Sequence, residues 1–127
     1  EINYFNLGDV DPIFDFCAPA MAAAKATLEQ KPEAVRKFLA VLDRAYQEVA
    51  AHPRETVLEV RDRMPEGSSD ALLIRSQEHL APILLDSQGH WGRIKPERWD
   101  RMADFLLDCG VISRRRDNEY TNAYFEA

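Results

Sequence analysis

Apolar positions change their period near residue 24. From Val35 they recur at Phe38, Leu39, Leu42, Tyr46 and Val49, that is at i, i+3, i+4, i+7, i+11 and i+14. This spacing lays one apolar stripe along a 3.6-residue helix. Pro32 followed by Glu33 marks its start: proline suits the first helical position and an acid suits the first turn. The same pairing of proline with a nearby acid at Pro53-Arg54-Glu55 and Pro96-Glu97 predicts two further helix starts. The helix from Pro53 is expected to run through Val57, Val60 and Met64 and to stop at Pro65-Glu66-Gly67. Ser68 or Ser69 then caps a helix carrying Leu72, Leu73, Leu80 and Leu84, which Pro82 kinks or ends early. Beyond a loop from Asp86 to Lys95, Trp99, Met102, Ala103 and Leu106 form another stripe, with Gly110 at the left-handed position past its end. The tail Thr121-Asn122-Ala123-Tyr124-Phe125 is expected to dock as a final turn. Three proline-started helices invite a repeat reading, but their lengths and spacings disagree.

The first 24 residues follow another rule. Phe14, Phe16, Ala18 and Ala20 alternate with Asp15, Cys17 and Pro19, a period of two that predicts a short strand. Ile2 to Phe5 is a second candidate strand, with Gly8-Asp9 and Asp11-Pro12 as the turn between them. The expected fold is therefore α/β but predominantly helical, one or two strands followed by four to five helices. Residues 1–24 form a strand segment and residues 25–127 the helical part.

Composition narrows the function. The chain has 127 residues, enough for one domain, and a formal charge of −6. A phosphate backbone needs a basic face, so no nucleic-acid partner is expected. Arg114, Arg115 and Arg116 read as a solvated turn. The longest apolar stretch, from Ala18 to Ala24, falls far short of the ~20 residues that cross a bilayer. Cys17 and Cys109 are too few for a disulfide scaffold and are expected to be buried free thiols. Because Glu1-Ile2-Asn3-Tyr4-Phe5 opens without Met and in strand-like residues, the chain reads as an excised piece of a longer protein.

Catalytic and metal patterns are missing from the sequence. His52, His79 and His90 are scattered, with no zinc-type spacing, and the glycines are isolated rather than grouped into a phosphate loop. No GxSxG elbow occurs. No enzyme activity, metal or cofactor is expected. Trp91 and Trp99, eight residues apart, are read as core side chains where the loop packs onto the helix, because indoles bury large areas. The acidic, aromatic opening is richer. Asp9, Asp11 and Asp15, beside Tyr4, Phe5 and Phe14, pair carboxylate acceptors with rings. That combination suits a ligand that has an aromatic ring and offers N–H donors or positive charge, and it is a poor site for anions such as nitrate or sulfonate. The competing reading is that these acids are simply solvated.

The order of motifs resembles a known family. Tyr4-Phe5-Asn6-Leu7-Gly8-Asp9, Asp11-Pro12-Ile13-Phe14 and Lys31-Pro32-Glu33-Ala34-Val35-Arg36-Lys37-Phe38-Leu39 open the series. Ala50-Ala51-His52-Pro53, Ser76-Gln77-Glu78-His79-Leu80-Ala81-Pro82, His90-Trp91-Gly92, Glu97-Arg98-Trp99 and Thr121-Asn122-Ala123-Tyr124-Phe125 continue it. Together they are similar to the C-terminal portion of ABC-importer substrate-binding proteins of the thiamine-pyrimidine-precursor class, a superfamily that includes nitrate, sulfonate and taurine binders. The resemblance implies a two-lobed periplasmic-binding-protein fold, with residues 1–24 in the hinge and residues 25–127 supplying helices of the first lobe. It also implies a periplasmic or lipoprotein-anchored location, an ABC permease as partner, and capture of a small heteroaromatic ligand. Asp9, Asp11 and Phe14, in the hinge turn, are the expected ligand contacts. Where pyrimidine binders carry Leu-Glu-Asp and then Tyr-Gly-Val-Pro, this chain has Leu7-Gly8-Asp9 and Val10-Asp11-Pro12. Helix faces meant to cover a sheet would stand bare in this piece, so the missing N-terminal lobe or a second copy is expected to cover them. The alternative is a stand-alone helical interaction or sensor domain with no small-molecule ligand.

Overall fold

The computed structural model describes residues 5–17 and 19–125. Six α-helices are present among them: α1 Leu7–Val10, α2 Lys25–Gln30, α3 Pro32–Ala51, α4 Pro53–Glu59, α5 Asp70–Leu80 and α6 Pro96–Asp108. Short 3-10 turns at Pro12–Phe14, Arg61–Arg63 and Ala81–Ile83 connect them. The chain is thus predominantly helical, as the stripes predict.

Proline punctuates the helices. The residue before a proline is kept out of the helical region, and the proline itself is preset for a first turn. Lys31, His52 and Lys95 all hold non-helical backbone angles, and Pro32, Pro53 and Pro96 open α3, α4 and α6. At His52 one helix ends and the next begins: its N–H donates to the Glu48 carbonyl at 2.8 Å, and its own carbonyl accepts from Thr56 N–H at 3.1 Å. The far end of α6 closes as expected. Gly110 sits at φ +69, its N–H donates to the Leu107 carbonyl at 3.0 Å, and Val111 N–H reaches the Leu106 carbonyl at 2.9 Å. This paired bonding is the Schellman termination.

The chain divides into two compact units. One comprises Glu1–Glu29 and Ile94–Ala123, the other Gln30–Arg93 and Tyr124–Ala127. In the first, the Pro12–Phe14 turn packs on α6. In the second, α4 packs against both α3 and α5, and the Ala81–Ile83 turn lies on α3.

Several expectations need correction. Among the described residues there is no strand. Ile2 to Phe5 lies, apart from Phe5, outside the described residues. In the stretch from Phe14 to Ala20, Phe14 closes a 3-10 turn, and the carbonyls of Asp15 and Phe16 accept from arginine side chains of α6 rather than from a neighbouring strand. The helix from Pro53 does not reach Met64. It closes at Val60 and continues as a 3-10 turn, and Met64, preceding Pro65, is extended at ψ 153. Ser69 occupies the N-cap of α5, but its side chain makes no capping bond; Arg61 instead ties Asp70 of the first turn to the Ser68 carbonyl. Cys17 and Cys109 are free, but neither is buried: Cys17 is only half-buried, and Cys109, which caps α6 beyond the last stripe residue, Leu106, is exposed.

Burial is thin in both units. Among the described residues the buried apolar side chains are Val57 on α4, 7% exposed, and Ala103 on α6, 8% exposed. The stripe of α3 is half-buried at Val35, Leu39, Leu42, Tyr46 and Val49, while Phe38 and Val41 both stand 53% exposed. Leu72 and Leu80 on α5 and Phe105 on α6 are also exposed. Large apolar side chains normally fill an interior, and these helices present faces that nothing among the described residues covers.

Candidate functional site

The acidic opening folds into two consecutive helical turns that pack on one another. Asn6 precedes α1, and its amide Nδ2 donates to Asp9 Oδ2 at 3.3 Å, while Asp9 N–H returns to the Asn6 carbonyl at 3.1 Å. Asp11 leaves the helix in an extended conformation and starts the next turn. Its Oδ1 accepts from Ile13 N–H at 2.9 Å, and Pro12 takes the first position. An aspartate before a proline favours this geometry because the short carboxylate satisfies a backbone donor that the turn leaves open. Phe14 closes the turn with its ring 43% exposed.

The three expected contact residues therefore share one double turn, and all three remain exposed to solvent. The expected turn between two strands is itself helical, residues 15–17, 19 and 20 form neither helix nor strand, and Ile2 to Tyr4 and Ala18 lie outside the described residues. Asp15 stands apart from its neighbours. Its carboxylate is held by Arg98 through a hydrogen-bonded ion pair and by Arg101 at 3.8 Å, so it is not an open acceptor. Tyr4 lies outside the described residues, and Phe5 is exposed. What the turn offers is two solvated carboxylates and an aromatic face, suited to N–H donors on a planar ring.

Arg98 and Arg101 were not anticipated as part of this arrangement. They sit three residues apart on α6, on one face of the helix, and the i, i+3 spacing was the signal available in the sequence. In the Arg114–Arg116 run, Arg114 and Arg116 are exposed as expected, and Arg115 alone departs from the solvated reading. Arg115 is half-buried and reaches Asp100 at 2.8 Å, Asp104 at 2.8 Å and Glu119 at 3.0 Å. Those carboxylates hold its guanidinium protonated well above the usual arginine range. Glu119 in turn lies below its ordinary range, chiefly because its carboxylate accepts the Arg116 N–H at 2.7 Å, and further through the Trp99 indole at 3.1 Å. An open groove of about 520 Å³ runs beside this network, floored by Trp99, Met102, Ala103 and Leu106.

The two tryptophans do not share a core. Trp99 belongs to the first unit, where its ring tilts against Tyr120 at 5.3 Å. Trp91 belongs to the second, stacked on Tyr46 with ring centroids 4.2 Å apart and planes 6° from parallel. Asp43 Oδ1 accepts the Trp91 N–H at 2.7 Å. His90 Nδ1 lies 3.8 Å from Asp43 Oδ2, and Asp86 Oδ1 accepts the N–H groups of Gln88 and His90. One face of the Trp91 indole is thus occupied by the protein itself. Tyr124 and Phe125 dock in this unit: the Arg36 guanidinium lies 5.4 Å from the Tyr124 ring centroid, and the Phe125 ring lies against Gly92.

Among the described residues no three His, Cys, Asp or Glu side chains are grouped as a metal ion would require. Among the described residues no helix is long and apolar enough to cross a membrane.

A family model described as NMT1/THI5 like matches residues 1–56. The matched stretch includes the Asp9–Phe14 double turn and the whole of α3. No curated protein and no solved structure matches the chain.

Proposed function

We propose that this chain is the C-terminal portion of a solute-binding protein serving an ABC importer, and that it helps capture a small heteroaromatic ligand such as a thiamine pyrimidine precursor. In this reading the protein acts outside the cytoplasmic membrane, free in a periplasm or anchored as a lipoprotein. It binds without chemistry and hands the ligand to a permease. The observation that supports the reading most is the similarity of residues 1–56 to the NMT1/THI5-like family, because that stretch contains Asp9, Asp11 and Phe14. The exposed apolar positions on α3, α5 and α6 agree with it, since they suit helices lying against a layer contributed by an N-terminal lobe.

The chemistry follows from the turn. An aminopyrimidine presents N–H donors in the plane of its ring, and the carboxylates of Asp9 and Asp11 accept such bonds. The Phe14 face supplies stacking. Closure of a second lobe over the turn removes water and strengthens each contact, because charge interactions grow as the local dielectric falls. Anions gain nothing from two carboxylates, which separates this ligand class from nitrate and sulfonate.

Titration calorimetry on the full-length protein tests the reading. An aminopyrimidine is expected to bind at one site, while nitrate and taurine give no heat. Hydrogen bonds to charged groups contribute about 1.5–3 kcal/mol, so Asp9→Asn and Asp11→Asn are each expected to weaken binding about tenfold or more. Binding of the anions with silence toward the aminopyrimidine would overturn the assignment.

A further inference from the structure

The double turn carrying Asp9, Asp11 and Phe14 is shaped by bonds within itself. Asn6 to Asp9, Leu7 to Asp11, Asp11 to Ile13 and Pro12 to Asp15 all span four residues or fewer. Such bonds set the form of a segment but not its place on the rest of the protein. Among the described residues, the hydrogen bonds joining residues 5–17 to a distant part of the chain come from Arg98 and Arg101 of α6.

Their geometry is convergent. Arg98 Nε donates to the Asp15 carbonyl at 3.3 Å, and its Nη2 is shared between the Asp15 carboxylate and the Phe16 carbonyl at 3.4 Å. Arg101 Nη2 donates to the same Asp15 carbonyl at 3.2 Å and lies 3.8 Å from Asp15 Oδ2. Two guanidinium forks thus enclose two successive backbone carbonyls and one carboxylate, a match that lysine's point charge cannot reproduce. An isolated surface ion pair contributes little, but the Arg101 side chain, 36% exposed, is only partly solvated. Its Nε is buried and makes no hydrogen bond among the described residues. A donor withdrawn from water without a partner is unfavourable, and the side chain tolerates it in reaching Asp15.

We propose that Arg98 and Arg101 are positioning residues, a latch on Asp15 that fixes where the Asp9–Phe14 turn stands and thereby sets its affinity for ligand. The inference rests on the functional reading above for the ligand and on the α6 geometry for the latch. The arginines touch the backbone behind the turn; Asp9, Asp11 and Phe14 face solvent.

Amide hydrogen exchange and aminopyrimidine titration on the full-length protein, read together, test the proposal. In Arg98→Gln/Arg101→Gln, exchange across residues 11–16 without ligand is expected to quicken at least tenfold. Aminopyrimidine Kd is expected to rise at least tenfold, with exchange in α3 and the melting temperature nearly unchanged. Arg98→Lys/Arg101→Lys keeps the charge without the forks and should fall between wild type and the glutamine pair in both readouts. Should the glutamine pair not fold, the lysine pair is judged by the same two criteria. Unchanged exchange at residues 11–16 overturns the latch. Faster exchange there with unaltered affinity overturns the positioning role, as does an affinity loss accompanied by faster exchange throughout α3. A wild-type protein that takes up no aminopyrimidine contradicts the functional reading by itself, and the ligand-free exchange comparison still decides the latch.

Discussion

The side chain of Asn122 grips the backbone of Ile94 at both ends. Its Oδ1 accepts the Ile94 N–H at 3.0 Å, and its Nδ2 donates to the Ile94 carbonyl at 2.8 Å. A single amide thereby does for one residue what a neighbouring strand would do, satisfying both polar groups of a partly buried peptide. The Thr121-Asn122-Ala123 motif, noticed in the sequence for its resemblance, is a clamp holding the segment that leads into α6. Removing it leaves two backbone groups without partners, at a cost of about 1–3 kcal/mol. Asn122→Ala is expected to lower stability by that amount in urea unfolding. Asn122→Asp, which keeps the acceptor and loses the donor, should recover only part of it.

The Tyr46–Trp91 stack fastens the loop after α5 to α3. Aromatic pairs contribute about 0.5–1.5 kcal/mol beyond the area they bury. A double-mutant cycle of Tyr46→Leu and Trp91→Leu, followed by chemical denaturation, is expected to return a coupling energy in that range. Simple additivity would mean that the rings touch without stabilising the loop.

Gly92 and Gly110 both hold positive φ, at +81 and +69, yet they differ in their surroundings. A Cβ on Gly110 meets nothing within 4 Å, whereas one on Gly92 comes within 3.1 Å of the Phe125 ring. Gly110→Ala is expected to cost only the left-handed backbone penalty, about 1–2 kcal/mol. Gly92→Ala should cost more, because the docked tail must also shift. Equal losses in thermal melts of the two variants would show that Phe125 is not held against Gly92.

Acid should weaken the fold through two carboxylates. Glu119 is depressed first by the Arg116 backbone N–H, and Asp86 first by the His90 backbone N–H. A carboxyl whose folded pKa lies below its unfolded value binds its proton more readily in the unfolded chain. Its stabilising contribution is therefore complete above the ordinary values of 4.5 and 3.8 and is lost as pH falls through the folded pKa. Urea midpoints are expected to hold steady above about pH 5 and then drop with acid. Glu119→Gln should lower the plateau and flatten the drop.

The legible features were those governed by a few adjacent residues. A proline constrains its predecessor sterically, so Pro32, Pro53 and Pro96 disclosed three helix starts. Gly110 disclosed a helix end for an equally local reason. The Phe14–Ala20 alternation misled because a strand also needs a partner, and arginines of α6 take the carbonyls of Asp15 and Phe16 instead. Arg98, Arg101 and Asn122 act on residues far away in sequence: the i, i+3 spacing puts the two arginines on one helix face but does not name Asp15 as their partner. In the candidate site, the local turn of Asp9, Asp11 and Phe14 was readable as one cluster, but the removal of Asp15 from it was not. The stripe of α3 was readable too, while the exposure of Phe38 depends on what the helix packs against.

If the chain is part of a larger solute-binding protein, as proposed, Phe38 and Val41 on α3, with Leu72 and Leu80 on α5, pack beneath a further layer of it. Light scattering on the isolated 127-residue chain, with an apolar fluorescent dye present, addresses it most directly. Self-association and strong dye fluorescence are expected, both abolished in the full-length protein. A monodisperse monomer that takes up no dye at high concentration would contradict it.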